Sequence, residues 1–155
     1  MKQLKIYTDG GCHGNPGPGG WAFVIELDGE THERSGREEA TTNNRMELTA
    51  VIEALKTVRR QYGDKVKSIS VVTDSQYVRG GISDWMTRWL RNGWKTSAGK
   101  PVKNQDLWQE LQRLSHGLNI SWDWVRGHSG DRRNELCDTL VQQAIRGSYQ
   151  ELDGC

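Results

Sequence analysis

Asp9, Glu47, Asp74 and Asp138 are acids at positions where a sequence built only for a core would place something else. Leu4-Lys5-Ile6-Tyr7-Thr8-Asp9 alternates like a strand, so Asp9 stands at its end, before Gly10-Gly11. Asp74 closes a second strand-like run, Lys67 to Thr73, in the same way. In open α/β sheets, ligands bind at the carboxyl ends of strands. Glu47 is in helical register with Val51, Ala54 and Val58, which puts a carboxylate on an apolar stripe. Asp138 shares a stripe with Asn134, Val141 and Ile145. A carboxylate taken out of water is costly unless it is paired or bound to a metal. Acids that converge repel one another and need a divalent cation, held through oxygen. Singly, Asp74 before Ser75 also reads as a helix cap and Asp9 before Gly10 as a turn residue. Their joint placement favours a metal site.

Such acids need a scaffold, and 155 residues supply one domain. A chain of this length buries about 68–70% of its unfolded surface, enough for its own core. The 21 Lys and Arg against 20 Asp and Glu leave a net charge of +1, which excludes a histone-like polycation. Any nucleic-acid contact must then come from a local basic cluster. Seven Trp supply bulky core material and argue against disorder. Cys12, Cys137 and Cys155 carry no CxxC spacing, so a reduced, cytoplasmic chain without structural zinc is expected. No signal peptide follows Met1, and no apolar run is long enough to span a membrane. The Asn119-Ile120-Ser121 sequon is set aside for the same reason.

The periodicities predict strands at 4–9, 21–27, 31–37, 67–73 and 120–126. Asp28-Gly29 is a hairpin signal, and Thr41-Thr42-Asn43-Asn44 offers several caps for a helix ending near Tyr62. Asp74-Ser75 caps a short helix broken at Gly80-Gly81, followed by helices at about 84–91, 104–115 and 131–145. The order β-β-β-α-β-α-α-α-β-α implies an α/β fold, a mixed sheet with helices against it. Residues 1–146 make the domain, and 147–155 are expected to form a loose tail.

Gly17-Pro18-Gly19-Gly20-Trp21-Ala22 matches a dinucleotide fingerprint, but strand-like Trp21 to Ile25 follows where a helix is required. Thr8-Asp9-Gly10-Gly11-Cys12 with Gly14-Asn15-Pro16-Gly17-Pro18-Gly19-Gly20 instead resembles the opening signature of type 1 ribonucleases H (ribonuclease HI). Thr41-Thr42-Asn43-Asn44-Arg45-Met46-Glu47-Leu48, Thr73-Asp74-Ser75-Gln76-Tyr77-Val78, Gly93-Trp94-Lys95-Thr96 and Pro101-Val102-Lys103-Asn104 continue the resemblance. Asp106-Leu107-Trp108, Gly127-His128, Asn134-Glu135 and Cys137-Asp138 complete it, in the family's order, over residues 4 to about 145.

The resemblance implies a ribonuclease H-like five-stranded mixed β-sheet, an antiparallel meander plus parallel strands, flanked by helices. It implies endonucleolytic hydrolysis of the RNA strand of an RNA–DNA hybrid, leaving 5′-phosphate and 3′-hydroxyl ends. Two Mg²⁺ ions, with Mn²⁺ as a substitute, would be held by Asp9, Glu47, Asp74 and Asp138. Asp9 would bridge them, Glu47 and Asp74 sharing one and Asp138 taking the other. His128 falls on the family's auxiliary catalytic His, whose titration near neutral pH suits proton transfer or product release. Asn15, Asn43, Asn44 and Gln76, with the backbone of Gly10, Gly11 and Cys12, match positions that read the hybrid.

Between Trp85 and Lys103 there are basic residues and no acid, with Trp85, Trp89 and Trp94 interleaved. Cations pair with phosphates while sugars and bases stack on rings, so this is a candidate nucleic-acid surface. Trp85 and Trp89, four apart, equally read as one apolar helix face. The resemblance makes the segment a protrusion that grips the DNA strand through Trp85, Arg88, Trp89, Arg91, Trp94 and Lys95. Leu90 and Asn92 interrupt its basic run, and Glu26 stands where some relatives use a base to hold a DNA phosphate, which predicts weaker, more salt-sensitive binding. Under the resemblance, Thr42 remains the candidate phosphate contact. A monomer without an obligate partner is expected. A hybrid- or RNA-binding module and a DNA or double-stranded RNA nuclease are the alternatives.

Overall fold

In the computed structural model, which describes residues 2–63, 66–125 and 132–153, the chain starts as a meander. β1 (Lys2–Cys12), β2 (Gly17–Leu27) and β3 (Glu30–Thr41) pair antiparallel in succession. Asp28 and Gly29, at φ 54° and 80°, make the two-residue turn between β2 and β3. Positive φ at both central residues matches the twist of the flanking strands. α1 (Asn43–Gln61) then crosses to β4 (Val66–Thr73), which lies parallel to β1, and β5 (Ile120–Trp124) adds parallel to β4. The five-stranded order β3-β2-β1-β4-β5 places β1 where the sheet changes from antiparallel to parallel.

α1 buries Leu48, Val51, Leu55 and Val58 against Leu4, Ile6, Phe23, Ile69 and Val71. α4 (Gln105–Ser115) adds Trp108, Leu111 and Leu114 to the same core. α5 (Arg132–Asp153) covers the other face, its Cys137 against Tyr7, Val24 and Val72 and its Val141 and Ile145 against Ala22. At the end of α1, the Arg59 guanidinium donates to the carbonyls of Leu114 (2.9 and 2.7 Å) and His116 (2.6 Å). Those carbonyls at the end of α4 have no partner within the helix, so Arg59 fastens one helix end to the other.

Beyond the extension of β2 back to Gly17 and of β3 on to Thr41, three boundaries differ from the sequence reading. β1 does not stop at Gly10-Gly11 but runs to Cys12, paired with Gly19 and Gly20 of β2. α5 passes Ile145 and Gly147 to Asp153, so the backbone of the stretch expected as a loose tail is helical as far as that residue.

The third concerns Gly80-Gly81, which do not break the helix. α2 (Gln76–Gly80), a π turn (Gly81–Trp85) and α3 (Met86–Arg91) follow without interruption, and both glycines are right-handed helical. These glycines serve close packing. A Cβ on Gly81 would sit 1.9 Å from Trp108 Cη2, and one on Gly80 2.5 Å from Trp85 Cη2.

Helix propensity and packing therefore predict opposite signs at two glycines. Gly147→Ala, where a Cβ meets nothing within 4 Å, should stabilise the fold by about 0.5–1 kcal/mol. Gly81→Ala should destabilise it by about 2 kcal/mol or more, because backbone beside the Trp108 ring must move. Urea unfolding of both variants decides it, and a stabilised Gly81→Ala would refute the packing account.

Candidate active site

The side chains of a strand alternate between faces, so Asp9 falls on the Tyr7 side of β1, towards α5. Gly10 falls on the other side, towards α1. There a Cβ would lie 2.4 Å from the Met46 carbonyl carbon and 2.6 Å from the Glu47 nitrogen. Only glycine lets the first turn of α1 come down onto the end of β1, and that approach delivers Glu47 to Asp9. The parallel register Tyr7 to Val72, carried on by two residues, sets Asp74 beside Asp9. Carboxylate oxygens of Asp9, Glu47 and Asp74 all lie within 4.8 Å of one another.

Asp138 reaches the same place from α5. A cavity of about 80 Å³ at the ends of β1 and β4 is lined by Thr8, Asp9, Asp74, Asn134, Glu135 and Asp138. Asp9 and Asp74 thus belong both to the cluster with Glu47 and to the cavity with Asp138. Burial, then the charges of Asp74 and Asp138, push the Asp9 carboxyl from 3.8 to about 7, against a lowering hydrogen bond from the Gly10 backbone. Burial also lifts Glu47 from 4.5 to about 7, opposed by a hydrogen bond from the Ser75 hydroxyl and reinforced by Asp74. That hydroxyl also caps α2, accepting from the Val78 N–H at 3.0 Å. Ser75 is legible in the sequence as a cap, but nothing local announces its second contact.

The glycine-rich loop is fastened to the start of α1. Cys12 N–H donates to Asn43 Oδ1 at 2.8 Å, and Asn43 N–H donates to Asn15 Oδ1 at 3.0 Å. Thr42 is the helix cap, its hydroxyl accepting from Arg45 N–H at 3.3 Å. Asn44 is half-buried one residue into α1, and Gln76 is exposed at the start of α2. Gly10 and Gly11 face Trp21 and Gly20 across the β1–β2 ladder. Loop residues 126–131, and His128 with them, lie outside the described residues.

The aromatic residues of the basic segment lie against each other. Trp85 packs on Tyr77 and Trp89 at ring distances of 5.9 and 6.1 Å, and Trp89 on Trp94 and Trp108 at 6.2 and 5.4 Å. The shared helix face of Trp85 and Trp89 is therefore packed inward. Arg88 is exposed and pairs with Asp84 at 2.9 Å, just outside the acid-free stretch, while Arg91 and Lys95 are exposed. Glu26 is bound to Arg133 of α5 at 2.6 Å. Its charge is neutralised within the protein.

A network that the sequence reading missed joins α1, α2 and α4. The Arg45 guanidinium donates to both carboxylate oxygens of Asp106 (3.0 and 2.8 Å) and to Asn104 Oδ1 (3.2 Å). The Tyr77 hydroxyl accepts from Asn104 Nδ2 at 3.1 Å and from Trp108 Nε1 at 2.9 Å. The paired Asp106 holds the Arg45 guanidinium above its ordinary range, and Arg45 draws the Asp106 carboxyl below its own.

Known proteins resemble this chain in sequence and in fold. The RNase H family model matches residues 1–146. A ribonuclease H of Hydrogenovibrio crunogenus is 50% identical over 145 residues, covering 94% of this chain and 97% of that protein. One from Thermosynechococcus vestitus is 55% identical over 143 residues, covering 92% and 88%. Among solved structures, LC9-RNase H1, a type 1 RNase H with the type 2 active-site motif, superposes with a TM-score of 0.81 at 34% identity, covering 95% of this chain and 74% of that one. LC11-RNase H1 in complex with an RNA/DNA hybrid superposes with a TM-score of 0.69 at 28% identity, covering 94% and 99%.

The raised carboxyls give the metal-free protein a signed pH dependence. Between about pH 4 and 7 the folded chain holds protons at Asp9 and Glu47 that the unfolded chain has released. Stability from these groups is thus greatest below pH 4 and is lost as pH rises through about 7. In EDTA, Asp9→Asn should melt about 5 °C above the parent at pH 8, the gap narrowing to about 1 °C at pH 4. A gap that does not change with pH would contradict the desolvation account.

Proposed function

This chain belongs to the RNase H family of enzymes, and we propose that it cuts the RNA strand of RNA–DNA hybrids endonucleolytically at the Asp9–Glu47–Asp74–Asp138 site. The observation that carries the proposal is three carboxylates, oxygens within 4.8 Å, assembled at the switch point of a mixed sheet. A binding module gains nothing from such self-repulsion.

The donor set fits Mg²⁺, with Mn²⁺ as a substitute: hard carboxylate oxygens, few in number, beside a cavity open to substrate. Held by these acids, two such ions would supply an activated water on one side of the scissile phosphate and charge neutralisation at the departing 3′-oxygen on the other. Asp9 feels the charges of Asp74, Asp138 and Glu47 together, which supports it as the residue that both ions would share. Ser75 orients Glu47 and favours its charged form. The products are then a 5′-phosphate and a 3′-hydroxyl.

Recognition is divided between two surfaces. Asn44 and Gln76 would meet ribose hydroxyls of the RNA strand, a reading supported by their position at the starts of helices that carry or border the acids. Asn43 holds the Cys12 N–H, and Asn15 in turn holds the Asn43 N–H. Exposed Arg88, Arg91 and Lys95, carried on the Trp85–Trp89–Trp94 stack, would take phosphates of the DNA strand, as would Thr42; the exposure and positive charge of the three basic residues support that reading. Cys12 and Cys137 are free thiols; we read the chain as a monomer working in the reducing cytoplasm. No helix among the described residues is long and apolar enough to cross a membrane.

End-labelled RNA–DNA hybrid, RNA duplex and DNA duplex, incubated with Mg²⁺ or EDTA, test the proposal directly. The hybrid alone should be cut, only with the metal, and Asp9→Asn should slow cutting by at least about 100-fold, since even losing an outer partner of a metal ligand costs about 10–100-fold. Tight hybrid binding without cleavage would make the chain a binding module. Cutting of either homoduplex would overturn the substrate.

A further inference from the structure

The basic segment and the carboxylates must hold a fixed distance if the strand that is gripped is to be cut at a defined phosphodiester. Asn104, directly after the last lysine of that segment, sits at φ 59°, a left-handed conformation that asparagine tolerates better than most residues. Two tethers hold its side chain. Arg45 donates to the Asn104 Oδ1 at 3.2 Å, and Arg45 is two residues before Glu47. Asn104 Nδ2 donates to the Tyr77 hydroxyl at 3.1 Å, and Tyr77 is three residues after Asp74. The segment's end is thus bonded to both helices that follow or carry the clustered acids. Arg45 contributes most to this junction, because its guanidinium also takes both oxygens of Asp106 at 3.0 and 2.8 Å. Such a two-point fork fixes direction as well as distance, and a lysine cannot reproduce it. Arg45 is itself fixed: Thr42 caps its N–H, and the next residue, Met46, bears on Gly10 of β1.

We propose that Arg45 is a positioning residue that sets the register between the basic segment and the catalytic carboxylates, and so determines which phosphodiester of a gripped hybrid is cut. The proposal rests on the nuclease reading above. It assigns Arg45 no contact with substrate or metal. Its effect passes through Asn104 and Asp106.

The test maps cut positions at single-nucleotide resolution on an RNA-labelled hybrid, with KM, kcat, Mg²⁺ affinity by calorimetry and Tm for each variant. Arg45→Gln and Arg45→Lys should raise KM by about fivefold or more and spread or displace the cuts by about a nucleotide or two, as expected when a charge-assisted tether is lost. kcat should stay within about twofold and Mg²⁺ affinity should not move, because the metal ligands are untouched. Asp106→Asn, an exposed and milder change, should act in the same direction, and adding it to Arg45→Gln should do no further harm. An unmoved cut pattern, or a loss of kcat or Mg²⁺ affinity that follows Tm, would overturn the proposal and leave Arg45 a purely structural residue. Absence of cutting by the unaltered chain would instead remove the nuclease reading, and this inference with it.

Discussion

Carboxylates that share a 4.8 Å neighbourhood in a half-dry recess raise the energy of any fold that contains them. Asp9 and Glu47 show the size of that burden, since both would rather hold a proton up to about pH 7. The rest of the molecule supplies the offset. A core on one face of the sheet, from Leu4 and Ile6 to Trp108 and Leu111, is fully buried, and α5 seals the other face. The divalent cation that would relieve the repulsion is therefore also a source of stability. Any ligand that binds only the folded chain shifts folding in its favour.

Bringing the acids together depends on places where side chains are missing. Gly10 allows the first turn of α1 to touch β1, and Gly81 allows the Trp108 ring to lie against the backbone of the helical run that begins at Gln76. The first contact sets Glu47 over the sheet end. The second seats the helix start that follows Asp74. In both cases a backbone meets another group at a distance that no Cβ would tolerate, so packing at these points allows a single residue type.

Much of this was legible in the chain. The hairpin at Asp28-Gly29 needs only two residues to announce itself, and local alternation singles out the acids that follow the runs 4–8 and 67–73, although β1 itself continues past Asp9 to Cys12. Glu47 stood out because a carboxylate interrupted an apolar stripe. The failures share a cause. Gly80-Gly81 carry a local signal for a break, which tertiary packing against Trp108 overrides. Arg45 and Asp106 are 61 positions apart, and Asn104 and Tyr77 are 27 apart. No periodicity links such residues, so their network exists only once the fold does. Glu26 was read as a charge facing substrate because its partner, Arg133, lies 107 positions away.

The cavity that joins β1 to α5 has a consequence for how the chain is made. Its walls come from residues 8 and 9, residue 74, and residues 134 to 138, so they span most of the polypeptide. On a ribosome, the β1–β2–β3 meander has short loops to close and can pair early, whereas the parallel β1–β4 and β4–β5 pairs wait for distant segments. Of the elements that line the recess, α5 emerges after the others. A nascent chain halted before it has the first three acids but lacks both Asp138 and the wall that completes their recess, so the site is complete only once α5 has been made.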